Sequence, residues 1–186
     1  DGLADAMADP EIVETMVRGE VMLMVIQWSG VGRQEISIPW TRMRTALDVS
    51  RFATRARGME RAFVLSDTAP ADALDFALDQ FAAVPDCARR VIDVSGDGIT
   101  NEGFGPAEAY NAFDFGGVTV NGLVIEGEYP DPVIYYREQV IRGPGAFIEI
   151  ARDFSDYEDA MRRKLLREIN GSALSFLTEE GFLSRP

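Results

Sequence analysis

Histidine is absent from the 186 residues of the chain, and cysteine occurs once, as Cys87. Without histidine the chain lacks the commonest general base and the commonest transition-metal ligand. A single cysteine cannot form a disulfide within the chain. Cys87 is therefore either a buried small apolar residue, which we favour, or half of a bridge to another molecule.

Basic residues are also few: Lys and Arg total 18 against 31 Asp and Glu, for a formal net charge of -13. Such an acidic surface repels phosphate backbones and anionic lipid headgroups, so we expect neither nucleic acid nor a membrane surface as partner. No apolar run approaches the roughly 20 residues that a membrane-spanning helix needs. The apolar fraction of 46% is sufficient for the core of one ordinary domain.

The apolar pattern predicts an α/β fold. Residues 21–28 form a nearly continuous apolar run, typical of a strand buried on both faces. A short loop follows, and residues 34–40 alternate in polarity, which predicts an antiparallel edge strand that ends near Pro39. From residue 90 onward strands alternate with helices, which predicts right-handed crossovers and parallel strands. We therefore expect a three-layer, Rossmann-like and mainly parallel sheet with one antiparallel edge strand and helices on both faces.

The remaining segments complete this prediction. Strands are expected at residues 90–95, 118–125 (with a bulge at Asn121-Gly122) and 146–151, with an extended stretch at 62–66, and helices at residues 3–17 (broken near Asp9-Pro10), 42–57, 70–83, 106–115 and 132–141. A last helix begins with a capping box of Ser155 and Glu158 and ends at Asn170-Gly171. We assign residues 1–170 to the domain and 171–186 to a C-terminal tail.

The loop after residues 90–95 is the first candidate for chemistry, because ligands of such folds bind at the carboxyl ends of the strands. Asp97-Gly98 leaves the strand there, with Ser95 two residues earlier. A carboxylate on a tight turn among small residues suits a hard divalent cation, but taken alone the pattern favours a solvated Asp-Gly turn. An EF-hand is disfavoured, because a strand precedes the loop and Phe104 stands where the bidentate Glu belongs.

Together with a second loop, this pattern resembles the metal-ion-dependent adhesion site of the von Willebrand factor type A superfamily. The loop at residues 66–74 (SDTAPADAL) is similar to that site's second loop, with Thr68 as the matching threonine. Asp97 matches the aspartate of the third loop. The resemblance implies Thr68 and Asp97 as ligands of Mg²⁺ or another divalent cation, direct or through water, with Ser95 in support.

A narrower resemblance is to a bacterial branch of this superfamily, domain-of-unknown-function family 1194. It rests on residues 27–30 (QWSG), 39–41 (PWT), 87–98 (CARRVIDVSGDG), 118–123 (VTVNGL), 135–136 (YY) and 143–147 (GPGAF), and it extends to about Ile169. The family carries no assigned activity. Its members usually bear export signals, which implies a periplasmic or secreted location.

One part of the superfamily's site has no match in this sequence. Its D-x-S-x-S motif follows a first strand, which we expect upstream of Asp1, so two of the three metal-site loops are present. The nearest alternative, residues 48–52 (DVSRF), has Phe52 in place of the second serine and lies in a predicted helix. Asp67 also stands where glycine is more usual. We therefore expect that the chain is not the whole folding unit and that a further strand or subunit completes the sheet.

These observations favour a metal-ion-dependent protein-binding module, for adhesion or scaffolding, whose partner is another protein and whose first metal loop is missing. The alternative is a structural subunit of a larger assembly with a degenerate site that holds no cation. An Mg²⁺-dependent hydrolase that uses Asp97 is less favoured, because no general acid, basic phosphate clamp or phosphate-binding loop is recognisable. We therefore do not expect an enzyme.

Overall fold

A computed structural model of the chain describes residues 2–64, 67–127 and 131–180. Its helices are α1 (Gly2–Ala6), α2 (Pro10–Arg18), α3 (Ala46–Arg57), α4 (Pro70–Gln80), α5 (Pro106–Ala112), α6 (Pro132–Tyr135) and α7 (Tyr157–Glu180). Its strands are β1 (Met22–Trp28), β2 (Gln34–Arg42), β3 (Arg90–Gly96), β4 (Val118–Ile125) and β5 (Ile148–Ala151). A 3₁₀ turn, Phe81–Ala83, follows α4, and a π-helical turn, Tyr136–Val140, follows α6.

The five strands form two hydrogen-bonded groups. β1 and β2 are an antiparallel pair, as the short loop between them predicted, and β3, β4 and β5 are parallel in that order. The α/β prediction with one antiparallel strand is confirmed. Within the described residues β1 and β3 share no ladder, so the single sheet expected from the pattern is divided at this place.

Both strand groups nevertheless lie in one layer between two cores. The first core lies on the side of α1, α2, α3 and α7, and it receives Leu23 and Val25 of β1 together with Leu123 of β4. The second core lies on the side of α4, α5 and α6, and it receives Trp28 of β1 together with Val120 of β4. Because successive side chains of a strand point to opposite faces, this division shows that β1 and β4 belong to the same layer.

β1 corrects one expectation. The apolar run at residues 21–28 predicted burial on both faces, but every residue of β1 is only half-buried, whereas every residue of β4 is buried. The difference follows from the neighbours. β4 is flanked by β3 and β5, but β1 has a ladder partner on one side only within the described residues.

Several predicted boundaries are wrong for local reasons. β2 continues past Pro39 to Arg42 with an irregular register, and α3 starts at Ala46 because Thr45 and Asp48 form the capping box there. Ser155 does not cap α7, since its hydroxyl contacts Asp153, whose carboxylate also accepts the backbone N–H of residues 155 and 156.

Two further features differ from the prediction because the local sequence signals for them were too weak. Helix α7 continues through Asn170-Gly171 to Glu180, since a glycine in the middle of a helix costs only about 1 kcal/mol. The β4 register is regular, so the bulge at Asn121-Gly122 is absent; a Cβ on Gly122 would lie 2.8 Å from Cδ1 of Tyr136. Leu65 and Ser66, at the end of the predicted extended stretch at 62–66, and residues 181–186 of the predicted tail at 171–186 lie outside the described residues.

A buried network of ion pairs and hydrogen bonds connects α7 to the parallel strands β3 and β4. The side chain of Lys164 is 1% exposed; its Nζ donates to Glu168 Oε1 at 2.8 Å and forms an ion pair with Asp93 of β3. Asn121 of β4 donates to the same Glu168 oxygen at 2.7 Å and accepts the backbone N–H of Phe147. Each buried polar group of this network thus has a partner, which is the condition under which such groups are tolerated in a core.

We predict that Lys164→Ala lowers the free energy of unfolding by about 3–5 kcal/mol, because it removes the buried cation that pairs with the acidic side chains of Asp93 and Glu168. The matched control is Arg162→Ala on the same helix. Its ion pair with Asp9 has a guanidinium that is half exposed, so we expect a loss of about 1 kcal/mol or less. Urea unfolding of the three proteins measures both losses, and equal losses would contradict the assigned role of Lys164.

The network also predicts a pH dependence. Burial and the nearby Asp93 carboxylate raise the pKa of Glu168 from 4.5 to about 8. A raised carboxyl pKa means that the folded state holds its proton more tightly, so this contribution to stability is full below pH 4.5 and is lost as pH rises through 8. Glu168→Gln removes the titrating group and keeps an amide there. We expect its stability relative to the wild type to rise between pH 5 and pH 8, as measured by urea unfolding at each pH; a constant difference would refute this.

Candidate functional site

The carboxyl ends of β1 and β3 meet at one end of the strand layer, where the loop before α4 joins them. Ser29, the residue after β1, binds this loop twice: its hydroxyl donates to the carbonyl of Asp67 at 2.8 Å, and its own carbonyl accepts the N–H of Ala69 at 3.0 Å. The loop before α4 is thus fixed against the end of β1 by the hydroxyl and the carbonyl of Ser29, on either side of Thr68.

The loop after β3 binds Thr68 from the other side. The backbone N–H of Thr68 donates to Asn101 Oδ1 at 2.7 Å, and its carbonyl accepts the N–H groups of Asn101 and Glu102 at 3.1 and 3.3 Å. The Glu102 carboxylate in turn accepts the backbone N–H of Val31 at 2.8 Å, in the loop that follows β1. Three loops that are distant in the sequence are therefore joined into one surface.

The two predicted ligands lie on this surface, in adjoining loops. Thr68 is half-buried and Asp97 is exposed. The Thr68 hydroxyl oxygen lies 3.9 Å from the position that a Cβ on Gly98 would occupy, so it reaches the residue next to Asp97. The loop at Asp97 and the loop at Thr68 are in contact, as expected from the carboxyl ends of neighbouring strands. Ser95, the third residue considered, is half-buried in β3.

Two tyrosines lie beneath the surface. The hydroxyl of Tyr136 approaches Gly96 so closely that a side chain at residue 96 would collide with it. Burial, with smaller contributions from Tyr135 and Asp97, raises the pKa of Tyr136 far above its usual range. Burial also raises the pKa of Tyr135, whose hydroxyl forms a hydrogen bond with the hydroxyl of Thr100. Both phenols therefore stay neutral near pH 7 and act as rigid support for the loop after β3.

A family model described as "Protein of unknown function (DUF1194)" matches residues 1–173. The chain belongs to the DUF1194 family. This confirms the narrower resemblance that the sequence motifs indicated. No curated protein matches this DUF1194 chain in sequence.

Solved structures agree on the fold of this DUF1194 domain. Proximal thread matrix protein 1 of the mussel byssus is 17% identical with a TM-score of 0.65, over 88% of this chain and 40% of that chain. A von Willebrand factor type A protein from Catenulispora acidiphila is 17% identical with a TM-score of 0.60, over 90% and 38%. An aerotolerance-related membrane protein from Bacteroides fragilis, with multiple mutations to serines, is 19% identical with a TM-score of 0.51, over 91% and 88%.

These identities show the fold alone, which is that of von Willebrand factor type A domains. The DUF1194 chain spans about 40% of the length of the mussel protein. Within the part of the chain that the structure describes, no helix is both long enough and apolar enough to cross a membrane.

Domains of this fold often bind a divalent cation. The oxygen donors at this end of the DUF1194 domain meet only some of the requirements of such a site. Thr68 and Asp97 offer hydroxyl and carboxylate oxygens, which hard cations such as Mg²⁺ prefer. Among the described residues, however, no three acidic or cysteine side chains converge as a metal-binding group. Two side chains can hold a Mg²⁺ that keeps most of its waters, because this ion is commonly bound through one or two carboxylates.

Sequence patterns did not single out the residues that join the loops. Ser29, Asn101 and Glu102 act through contacts across 33 to 71 positions of sequence, and nothing in their immediate neighbours indicates those partners. In the sequence, Tyr135 and Tyr136 were noticed only as one of the stretches that resemble the family. Cys87 is half-buried and packs against the second core.

We predict that Asn101→Ala loosens the contact between the loops at Thr68 and Asp97, because Thr68 N–H loses its acceptor. The cost should be about 0.5–1.5 kcal/mol, the net value of one hydrogen bond. Hydrogen exchange at residues 68–69 and 101–102 should become faster, and thermal stability should fall slightly. Asn111→Ala, an exposed asparagine on α5, is the control and should leave these amides unchanged; equal exchange in both variants would exclude the role of Asn101.

Proposed function

We propose that this domain is a metal-ion-dependent protein-binding module in which Thr68 and Asp97 hold a divalent cation, Mg²⁺ in the first instance. The observation that carries the proposal is the hydrogen-bonded junction between the loop at Thr68 and the loop after β3. Such a junction fixes the backbone of the adjoining loops that carry the Thr68 hydroxyl and the Asp97 carboxylate before any ligand arrives, which lowers the entropic cost of binding.

The bound cation would supply open coordination positions for an oxygen ligand. With only two side chains from the described loops, most positions around it would be filled by water or by a carboxylate of the partner protein. Asp67, Asp97 and Glu102 give this surface a negative charge, in a chain whose net charge is -13. A negative surface attracts cations and repels a bare carboxylate, so partner binding should depend on the ion.

Binding is favoured over catalysis for chemical reasons. The chain has no histidine, and Tyr135 and Tyr136 at this end keep their protons near pH 7. A general acid–base step works best with a group whose pKa is close to the working pH. We propose a location outside the cytoplasm, in the periplasm or secreted, on the resemblance to exported relatives alone.

A structural subunit with a degenerate metal site is the second candidate. It is favoured by the lack of a converging group of three acidic or cysteine side chains among the described residues. The two candidates share the fold and differ in one measurable property, the binding of a cation.

We predict that the wild type binds Mg²⁺ in isothermal titration calorimetry and that Asp97→Ala weakens binding at least about tenfold, or about 1.4 kcal/mol. Thr68→Val, which keeps the side-chain shape and removes the hydroxyl, should weaken it as well. Asp79→Ala, an exposed carboxylate on α4, is the control and should bind as the wild type does.

Equal Mg²⁺ binding by wild type and Asp97→Ala would refute the assignment of Asp97. No binding by the wild type would support the structural subunit instead. Mg²⁺-dependent hydrolysis of p-nitrophenyl phosphate that is lost in Asp97→Ala would contradict the proposal that the domain is not an enzyme.

A further inference from the structure

Positive charge is concentrated in one segment of this acidic chain. Residues 42–61 contain six of the 18 basic residues but only two of the 31 acidic ones. The segment covers the end of β2, helix α3 and the loop after it. The rest of the chain holds 12 basic and 29 acidic residues, so α3 presents a basic surface on an otherwise acidic domain.

The arginines on the outer side of this helix have no counter-ion. Arg51 and Arg55 are exposed, as is Arg44 just before the helix, and within the described part of the chain none of them forms an ion pair. Asp48, the acidic residue of α3, is already engaged: its carboxylate accepts the hydroxyl of Thr45 at 2.8 Å and its backbone N–H at 2.9 Å. Three positive charges therefore face solvent.

These arginines and one leucine form a continuous surface, the basic stripe (Arg44, Leu47, Arg51 and Arg55). Its three helical members are four residues apart, so they follow one another along the same side of α3. The side chain of Leu47 is 55% exposed between the charges. The stripe extends over roughly the length of this 12-residue helix, about 18 Å, which matches five or six residues of extended polypeptide.

The helix dipole accounts for only part of this pattern. Cations stabilise the carboxyl end of a helix, which suits Arg55 and Arg57 in the last turn; Arg57 also pairs with Asp5. Arg44 precedes the first turn, where the dipole disfavours a cation, and Arg51 lies in the middle of the helix. The stability of α3 therefore does not explain the positive charge at these two positions.

We propose that the basic stripe binds an acidic segment of another protein, about six residues long, with an apolar side chain among its carboxylates. The carboxylates pair with the guanidinium groups, whose planar forks match carboxylate geometry, and the apolar side chain packs on Leu47. This contact is separate from the cation proposed at Thr68 and Asp97, and it requires no metal ion.

The far end of the stripe limits the bound segment. Arg55 lines a surface groove together with Glu35 and Glu60, which are exposed. Their negative charges repel further carboxylates, so the acidic part of the segment ends at Arg55 and is followed by a neutral or basic residue.

Charge and shape favour a protein segment over other negatively charged partners. Charges are screened over about 8 Å at physiological salt, so a narrow segment on α3 interacts mainly with the stripe. A membrane or a nucleic acid presents negative charge over a wider area and meets the acidic remainder of the domain as well. The apolar side of α3, with Val49 and Phe52, belongs to the first core, so the helix cannot insert into lipid. A second copy carries the same net charge of -13, which opposes self-association.

The test is binding of a rhodamine-labelled peptide, Gly-Asp-Glu-Leu-Asp-Glu-Gly, to the full chain, followed by fluorescence anisotropy in the presence of EDTA. EDTA makes the result independent of the proposed cation site. The control peptide, Gly-Asn-Gln-Leu-Asn-Gln-Gly, has the same shape without charge. We expect saturable binding of the acidic peptide, at least about tenfold weaker binding of the neutral one, and a loss of the difference between about 50 mM and about 500 mM NaCl.

Matched protein variants locate the bound peptide. Arg51→Ala combined with Arg55→Ala should weaken binding at least about fivefold, since two exposed ion pairs are lost. The control combines Arg137→Ala with Arg152→Ala, two exposed arginines on other elements, and removes the same charge; it should stay within about twofold of the wild type. Circular dichroism of both variants establishes that they are folded.

A second pair of variants tests the apolar contact. Leu47→Ser should weaken binding about threefold or more, because the leucine of the peptide loses its apolar neighbour. Ile134→Ser is the control, since Ile134 on α6 is 54% exposed against 55% for Leu47. It should leave binding unchanged.

The proposal fails if the acidic peptide does not bind, if the neutral peptide binds equally well, or if the two arginine double variants behave alike. Co-sedimentation of the wild type with vesicles of phosphatidylserine and phosphatidylcholine, lost in the Arg51→Ala and Arg55→Ala variant, would assign the stripe to a membrane. A concentration-dependent dimer of the wild type that the same variant lacks would assign it to a second copy. Either result would overturn the proposal.

Discussion

The arrangement of this domain depends on how two strand groups are held in one layer with no backbone ladder between their described residues. In the described residues no ladder joins β1 to β3, so the layer is held from its faces and from one end. On one face α7 packs against α1 and α2 and against β4 and β5, and the first core runs continuously beneath these elements. A cooperative ladder is thus replaced by side-chain packing, which is less directional and allows more variation in spacing.

The loops at the carboxyl ends carry the remaining part of this connection. Ser29 ties β1 to the loop before α4, and Asn101 and Glu102 tie that loop to the one after β3. These bonds create the surface that contains Thr68 and Asp97. The same contacts therefore serve structure and the candidate site, because the loops that close the layer also carry Thr68 and Asp97.

Lys164 illustrates how a buried charge can be tolerated beside β3, which has one ladder partner among the described residues. Asp93 interrupts an otherwise apolar strand, and from the sequence it is an anomaly. In the fold it meets Lys164 and lies close to Glu168, while Asn121 of the next strand supplies a further donor to Glu168. A network of this kind specifies which helix packs on which strand, since any other register leaves a buried charge without a partner.

The sequence by itself determined the order and type of most elements. The run at residues 21–28, the short loop after it and the alternation from residue 90 gave the antiparallel pair and the parallel strands, because these patterns depend on residue spacing along one segment. Two site loops could be located by motif, through Thr68 and Asp97. Helix starts could be judged only locally, and both differ from the prediction: α3 begins at Ala46 and not at residue 42, and Ser155 does not cap α7, which begins at Tyr157.

Only the tertiary structure decided which segments meet. The half-burial of β1, the partners of Asp93 and the roles of Ser29, Asn101 and Tyr136 all depend on residues tens of positions away. A local pattern reports which face of an element is apolar, but not which neighbour covers it. Burial and ion pairing are properties of two or more segments in contact. For that physical reason they follow from the tertiary structure and not from the pattern of one segment.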